Sequence, residues 1–359
     1  MQVVGGLHSR QACPPAISPM LRIDCLIFRT LHISGMHASS SPILEAMQSD
    51  LLARLVPLIR AQAQGLGFLP SPIPGVVLMH MDRHLPRSPT VYDPCIVVVA
   101  QGRKIASFNG RRYVCDPRHY LTLSLPLPFE TETVGSPEEP FFGLAVAVTP
   151  ALVTELLLQM DGTPPSPATH DAIASLPMDA SLLSAAVRLV EAMQHGEQAR
   201  VLGPGLVREL VYLQLRSPGG GGLRGLAVGD GRLGRIAKVI QRLQSHFATE
   251  HDMAVLARDA GMSLTSFHAG FKAATGESPL QYLKLIRLHR ARDLMVNEGL
   301  SAQATAVRVG YESASHFSRE FKRLFGGSPG AVAAQLRAQL NEARVPRLRA
   351  TLSFGYLNA

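Results

Sequence analysis

The sequence lacks most of the features that mark secreted, membrane-spanning or nucleotide-hydrolysing proteins. Its four cysteines form no Cys-X-X-Cys pair and are too widely spaced for the disulfide framework of a small secreted domain; they are Cys13, Cys25, Cys95 and Cys115. No apolar run approaches the roughly 18 residues that a membrane helix needs, and no nucleophile elbow or glycine-rich phosphate loop appears. These absences predict a cytoplasmic protein with reduced thiols and no membrane partner.

The first residues do not have the pattern of a signal peptide. Arg10, Arg22 and Arg29 are scattered through them, so no clean apolar segment follows a basic start. We interpret residues 1–44 as a disordered extension.

The positive charge of the chain is concentrated in its last third. The 359 residues carry a formal charge of +8, and residues 232–344 account for +7 of it, with 16 Lys and Arg against 9 Asp and Glu. A chain of this length predicts about two domains of roughly 150 residues each. The basic segment indicates a polyanionic partner for one of them.

The sequence pattern of residues 45–216 predicts a helix, then strands, then further helices. Apolar residues recur at helical spacing from Glu45 to Ala63. Seven short β-rich runs follow, at 76–80, 96–100, 104–108, 111–114, 120–125, 130–134 and 141–148, and helical patterns return at 150–160, 181–195 and 202–216. Asn109-Gly110 predicts a type I′ hairpin turn. The pattern predicts an α+β protein whose first domain is an antiparallel β-sandwich or barrel with flanking helices.

A glycine-rich segment divides the chain. Residues 217–231 (SPGGGGLRGLAVGDG) predict a flexible linker with little capacity to pack. Residues 232–345 are helical in pattern throughout and predict a second, all-α domain, and residues 346–359 predict a tail.

The second domain contains one motif twice. Its residues are Ala257, Gly261, Phe267, Phe271-Lys272, Gly276 and Ser278-Pro279, and then Ala306, Gly310, Phe317, Phe321-Lys322, Gly326 and Ser328-Pro329. Each glycine that ends a first helix predicts a left-handed backbone, and Ser263 or Ser313 then caps the next helix. The phenylalanines are four apart and predict a buried face. Each copy is therefore predicted to be a helix-turn-helix unit.

The exposed faces of the two second helices are the predicted DNA-reading surfaces. They carry Thr265, His268 and Lys272 in the first copy and Ser315, Ser318, Arg319 and Lys322 in the second, with hydroxyl and guanidinium groups able to reach base edges in the major groove. A helix from Ser278-Pro279 to Glu298 joins the units and spans about 30 Å, close to the roughly 34 Å between successive major-groove faces. On it, Arg287 lies beside apolar neighbours and is interpreted as half of a structural ion pair rather than a phosphate contact.

These residues resemble the AraC/XylS family of bacterial regulators, over about 110 residues from Gly234 to Ala343. The likeness rests on Leu256-Ala257 through Gly261-Met262-Ser263, on Phe271-Lys272, on Arg287 with Ala291, and on Gly310-Tyr311-Glu312-Ser313 through Phe321-Lys322 to Ser328-Pro329. The resemblance implies major-groove readout by Thr265, His268 and Ala269, and by Ala314, Ser315, Ser318 and Arg319. The family often has Arg at the position of Ala269, and the adjacent Gly270 weakens the helix, so Arg319 is expected to carry more of the specificity.

The strand-rich domain is similar to the cupin-like N-terminal domain of one AraC-type subgroup, through its Tyr92-Asp93-Pro94, Gln101-Gly102 and Asp116-Pro117 turns. This likeness implies an unknown small-molecule effector and a homodimer, with residues 181–216 as the partner-facing surface. The expected partners are double-stranded DNA at two adjacent boxes and RNA polymerase, with no cofactor and with action at the nucleoid.

Two alternatives remain at this stage. A metal-dependent cupin enzyme needs two or three histidines and a carboxylate that converge in the barrel, and the sequence offers only His80 and His84, about 13 Å apart on one strand face. A non-specific architectural DNA-binding protein has no need of the large N-terminal domain. A sequence-specific transcription regulator without catalytic or metal-binding residues is therefore the preferred interpretation.

Overall fold

A computed structural model describes residues 42–160, 171–227 and 231–342. Most of the predicted extension and all of the tail at 346–359 lie outside these residues. The first helix begins at Pro42, two residues before the end of the predicted extension.

The described chain runs from one helix into nine strands, then through a second helix and a tenth strand into a series of helices. The bounds are α1 Pro42–Gln62, β1 Gly67–Pro70, β2 Val76–Met81, β3 Leu85–Tyr92, β4 Cys95–Gln101, β5 Arg103–Phe108, β6 Arg111–Cys115, β7 His119–Leu123, β8 Leu127–Val134, β9 Phe141–Ala147, α2 Pro150–Gln159, β10 Ile173–Pro177, α3 Ala180–Ala192, α4 Gly196–Arg216, α5 Gly221–Ala227, α6 Arg232–Ser245, α7 Met253–Asp259, α8 Leu264–Thr275, α9 Pro279–Asn297, α10 Ala302–Arg308, α11 Ala314–Phe325 and α12 Pro329–Glu342. The predicted α+β order is confirmed.

The strands form two antiparallel sheets. One has the order β1-β2-β9-β4-β7-β10 and the other the order β3-β8-β5-β6. The β5–β6 hairpin turns at Asn109 and Gly110, whose φ angles of 49° and 74° are both positive, as a type I′ turn requires. Buried aliphatic side chains such as Val97, Val99 and Leu144 fill the space inside. The cupin-like sandwich predicted from the sequence is confirmed.

Three strands were not predicted, and all of them lie at sheet edges. β1 and β10 are the outer strands of the first sheet, and β3 is an outer strand of the second. β3 contains Pro86 and Pro89 and its first four residues are exposed. An edge strand tolerates proline and needs no continuous apolar face, so it leaves a weak sequence pattern.

Residues 218–227, in the first part of the segment predicted to be a flexible linker, are helical and packed. Pro218–Gly220 forms a 3-10 turn and α5 follows directly, with Leu223 only 1% exposed. A Cβ at Gly220 or Gly222 would lie 2.6 Å from a backbone carbonyl oxygen. The glycines here allow close backbone packing rather than freedom of movement, so composition alone gave the wrong prediction.

The buried core continues from the sandwich into the first helix-turn-helix unit. One cluster of buried side chains extends from Leu51 in α1 through the strands to Phe267, Phe271 and Ile286 in the last third of the chain. The second unit has a separate cluster around Phe317 and its neighbours. The first unit is therefore the one held most directly by the N-terminal domain.

Candidate DNA-binding surface

The first helix-turn-helix unit consists of α7 and α8. Gly261 takes a φ of +62° after α7, and the amide of Met262 donates to the carbonyl of Ala257 at 2.9 Å to close the turn. Ser263 then caps α8 by accepting from the amide of Ser266 at 3.3 Å. The left-handed glycine and the serine cap are both as predicted.

The second unit repeats this geometry in α10 and α11. Gly310 has a φ of +84°, and the amide of Tyr311 donates to the carbonyl of Ala306 at 2.9 Å. Ser313 caps α11 by accepting from the amide of His316 at 3.3 Å. The duplicated sequence thus produces a duplicated turn, despite its extra residue in the second copy.

Each second helix completely buries the two phenylalanines of the repeated motif. Phe267 and Phe271 in α8 and Phe317 and Phe321 in α11 have no measurable exposure. The rings within each pair lie 5.7 and 5.6 Å apart. These side chains fix the rotation of each helix about its own axis, and so determine which residues face outward.

The predicted reading residues lie on the outward faces. Six of them are exposed and two are half-buried; the exposed ones are Thr265, Lys272, Ala314, Ser315, Arg319 and Lys322, and the half-buried ones are His268 and Ser318. Ala269 is also exposed. Arg319 forms no ion pair or hydrogen bond with another described residue, whereas Arg323 on the same helix pairs with Glu320 at 2.9 Å. The Arg319 guanidinium is therefore available to an external acceptor.

A basic residue that sequence reasoning missed lies beside α8. A Cβ at Gly270 would meet the Arg232 guanidinium, with Nε only 2.7 Å away. Arg232 begins α6 and is exposed. Gly270 was predicted only to weaken the helix, but it also makes room for the Arg232 guanidinium on the side of α8. Ala269 lies on the outward face of the same helix. Nothing in the spacing of Arg232 and Gly270, 38 positions apart in the sequence, could have indicated this contact.

Helix α9 joins the two units and ends where predicted. Ser278 caps it, Pro279 occupies its first turn, and Gly299 follows its C-cap with a φ of +70°. Its 19 residues span about 29 Å. The helix is therefore long enough to hold the two units about one DNA turn apart.

Arg287 on α9 is structural, but its partners are not those expected. The guanidinium donates to three backbone carbonyls, those of Phe247 at 2.7 Å, Thr249 at 2.9 Å and Gly310 at 3.0 Å. The predicted ion pair is replaced by this fork, because a planar guanidinium can serve several carbonyls at once. Arg287 thus joins the segment between α6 and α7 to the turn of the second unit.

The N-terminal domain contacts the connecting helix. The Tyr282 hydroxyl donates to the carbonyl of Pro126 at 3.0 Å, and Arg292 Nη1 donates to the carbonyl of Pro89 at 3.2 Å. Arg292 is 7% exposed and also lies 5.1 Å from the ring centre of Phe325, at the end of α11. Strand β3 is therefore linked through one arginine to α11.

The histidines considered for an enzyme site do not converge. His80 stacks on Phe142 at 4.6 Å, and His84 pairs with Glu132 at 3.0 Å. Across residues 42–160, 171–227 and 231–342, no group of three or more His, Cys, Asp or Glu side chains is placed to hold a metal ion. None of the described helices has the length and apolar content needed to cross a membrane.

Comparison with known proteins finds a family match in each of the two parts of the chain. Residues 72–222 match the family described as the AraC-type transcriptional regulator N-terminus, and residues 256–335 match a helix-turn-helix domain family. The HTH-type transcriptional activator RhaS of Escherichia coli O139:H28 is 29% identical over 247 residues, which cover 65% of this chain and 82% of RhaS. RhaS of strain K12 / DH10B gives the same identity and coverage.

Solved structures of ToxT from Vibrio cholerae share the fold. The form bound to an unsaturated fatty acid has a TM-score of 0.51, with 12% identity over 72% of this chain and 94% of ToxT. An apo form, which carries a single substitution, has a TM-score of 0.52, with 12% identity over 73% of this chain and 98% of ToxT. With the two matched families in this order on one chain, the protein belongs to the AraC/XylS family of sequence-specific DNA-binding transcription regulators.

Proposed function

We propose that this regulator reads two adjacent major-groove boxes of double-stranded DNA, with α8 in one box and α11 in the other. The observation that carries the proposal is the duplicated unit itself: both second helices bury the two phenylalanines of the repeated motif and leave polar or basic faces exposed. A joining helix of about 29 Å matches the spacing of one DNA turn.

Eight side chains form the proposed DNA-reading set, namely Thr265, His268, Lys272, Ala314, Ser315, Ser318, Arg319 and Lys322. In this set Arg319 reads a base edge, since an arginine fork pairs with the O6 and N7 acceptors of guanine. Lys272 and Lys322 are assigned to phosphates, where a point charge suffices. The second unit carries most of the specificity.

The N-terminal domain is proposed to bind a small-molecule effector and to mediate homodimerisation. As predicted from the sequence, residues 45–216 are assigned to effector binding and dimerisation, and residues 232–345 are assigned to DNA binding. Exposed apolar side chains on α4 favour a partner surface there, since Val201 is 70% and Leu202 is 52% exposed. The contacts of Tyr282 and Arg292 with the sandwich give the effector a route to α9.

The remaining assignments follow from this role. RNA polymerase is the proposed protein partner at the promoter, and the site of action is the cytoplasmic nucleoid. No catalysis and no cofactor are assigned, in keeping with relatives that are transcription regulators.

Selection from a random duplex library tests the proposal. The full-length protein is incubated with the library at about 150 mM salt, and bound duplexes are sequenced after several rounds, because salt sets the non-specific background. An enriched motif with two boxes about one helical turn apart is expected. Binding without an enriched motif would instead identify an architectural DNA-binding protein.

Removing the Arg319 side chain is expected to weaken specific DNA binding and to relax one base position. Arg319→Ala should cost about 1–3 kcal/mol, because a bidentate base contact is lost. Arg319→Lys keeps the charge but not the fork, and should lose the base preference while retaining more of the affinity. Arg308→Ala, an exposed arginine on α10, serves as the control. An unchanged motif in both Arg319 variants would contradict the assignment.

A further inference from the structure

Arg232 lies at the start of α6, on the side of that helix that packs against α8. Ile236, Val239 and Leu243 follow it at helical spacing on the same face, and all three are buried. Their burial fixes the rotation of α6 and directs the Arg232 side chain toward α8. Because Arg232 belongs to the first turn, beyond the buried residues, it remains exposed.

Gly270 leaves the space that the Arg232 guanidinium occupies beside α8. A Cβ on Gly270 would lie 2.7 Å from Nε, 3.1 Å from Nη2 and 3.3 Å from Cζ of Arg232. Glycine weakens a helix interior relative to alanine, and Gly270 lies within α8 without a left-handed backbone that would call for glycine. What the position requires is therefore room for the guanidinium.

The Arg232 guanidinium keeps its donors for a partner outside the described chain. It makes no ion pair or hydrogen bond with any residue that the structure describes, whereas Arg242 on the same helix pairs with Asp259. Arg235 is half-buried, and its Nη1 lies 3.8 Å from the place that a Cβ would take at Gly261, in the turn of the first unit. Of these three arginines, Arg232 is the one that combines exposure with a guanidinium unpaired among the described residues.

We propose that Arg232 binds a backbone phosphate at the edge of the DNA box that α8 reads. The inference rests on the proposed placement of α8 in the major groove, and it adds a residue from another helix to the contacts of the first unit. A helix in the groove turns its outward face to the bases and its sides to the phosphates. Gly270 lies about 100° around α8 from the outward-facing Ala269, so a cation held there meets a phosphate rather than a base edge.

Helix α8 has little positive charge of its own. Lys272 is its one lysine or arginine, whereas α11 carries three such residues. Ala269, on the outward face next to Gly270, is exposed, small and neutral, so it does not keep a phosphate away from the guanidinium. Arg232 therefore supplies from α6 a second cation at the first box, and it holds α8 in place without reading the sequence.

The salt dependence of DNA binding by the full-length protein tests the inference. The probe is the two-box duplex selected from the random library, and affinity is measured at salt concentrations from roughly 100 to 300 mM. In Arg232→Met, loss of one phosphate contact should lower the slope of log affinity against log salt by about 0.9, which means about fivefold weaker binding at 150 mM. Lys238→Met removes an exposed charge from the same helix and should leave both quantities unchanged.

Gly270→Ala provides a second test that leaves Arg232 in the chain. The atoms that the new Cβ meets belong to the far end of a flexible side chain, so the guanidinium is displaced while the fold is kept. DNA affinity should fall by up to about fivefold, although alanine favours the helix. In the Arg232→Met background the same substitution should cause no further loss, because the two changes remove one contact.

A shortened duplex that keeps the α11 box and lacks the α8 box distinguishes a local contact from a general effect of charge. On this duplex Arg232→Met should bind as the wild type does. An unchanged salt slope for Arg232→Met on the full duplex, an equal loss for Lys238→Met, or the same loss on the shortened duplex would each overturn the inference. If the wild type selects a two-box motif and Arg232→Met keeps its salt slope, only the Arg232 assignment fails. If no two-box motif is selected, the proposed reading of two boxes fails together with the inference.

Discussion

Replacing Gly310 with alanine is expected to destabilise the protein by about 3 kcal/mol or more, whereas the same change at Gly326 should cost only about 1–2 kcal/mol. Both glycines have left-handed backbones, with φ angles of +84° and +79°. They differ in their surroundings. A Cβ at Gly310 would overlap the carbonyl oxygen of Ala248 and lie 2.9 Å from its carbon, whereas a Cβ at Gly326 would meet nothing within 4 Å.

The two variants therefore separate backbone strain from steric overlap. A clash with backbone atoms cannot be relieved by rotating a side chain, so either the segment at Ala248 or the turn of the second unit must move. Urea denaturation of the two variants and the wild type measures the difference through the shift in midpoint at constant slope. Equal losses at both sites would mean that the Ala248 segment moves at little cost.

The left-handed glycines were predictable, but the contact of Gly310 with Ala248 was not. A glycine after an apolar helix and before a serine cap is a local pattern, so sequence alone located both turns. The approach of Ala248 involves a segment 62 positions away and depends on how α6 packs. The sequence therefore predicted the left-handed backbone of Gly310. It did not reveal that the backbone of Ala248 lies too close to leave room for a Cβ at this position.

The difference between local sequence patterns and contacts of distant segments also explains which elements of the N-terminal domain were predicted correctly and which were not. Strands with buried partners on both sides, such as β4 and β9, are long apolar runs and were predicted from composition. The edge strands β1, β3 and β10 carry proline or exposed polar residues, and only their pairing makes them strands. The glycine run at 219–222 was misread because glycine serves both flexible linkers and close backbone contacts, and only the packed structure distinguishes the two.

The candidate DNA surface was largely accessible to sequence reasoning because it depends on helical periodicity. Burial of two phenylalanines per helix determines the outward face, which carries Arg319 and Lys272 as predicted. Arg232 and Lys104 were not identified. Arg232 lies in α6 but contacts α8, so no pattern within either helix indicates the contact. Lys104 lies on β5 and is buried, although a lysine on a strand usually faces solvent.

Replacing Arg287 with methionine is expected to lower the free energy of unfolding by about 3–5 kcal/mol. The three carbonyls it serves, in Phe247, Thr249 and Gly310, would lose charged donors in a half-buried site. Burial also lowers the pKa of this guanidinium. Arg308→Met provides the control, since that arginine is exposed and its ion pair with Glu298 spans 3.7 Å, and it should change stability by less than about 1 kcal/mol.

Arg287→Lys distinguishes the fork from the charge. A lysine ammonium is a single point of donation on a flexible stem and cannot reach three carbonyls in the same directions, so most of the loss should persist. Because Arg287 connects the segment before α7 to the turn before α11, its loss should also loosen the two units relative to each other. DNA selection with this variant should therefore return the same two boxes with a wider range of separations. Wild-type stability together with an unchanged separation would show that charge alone, and not the three-way fork, holds the units in register.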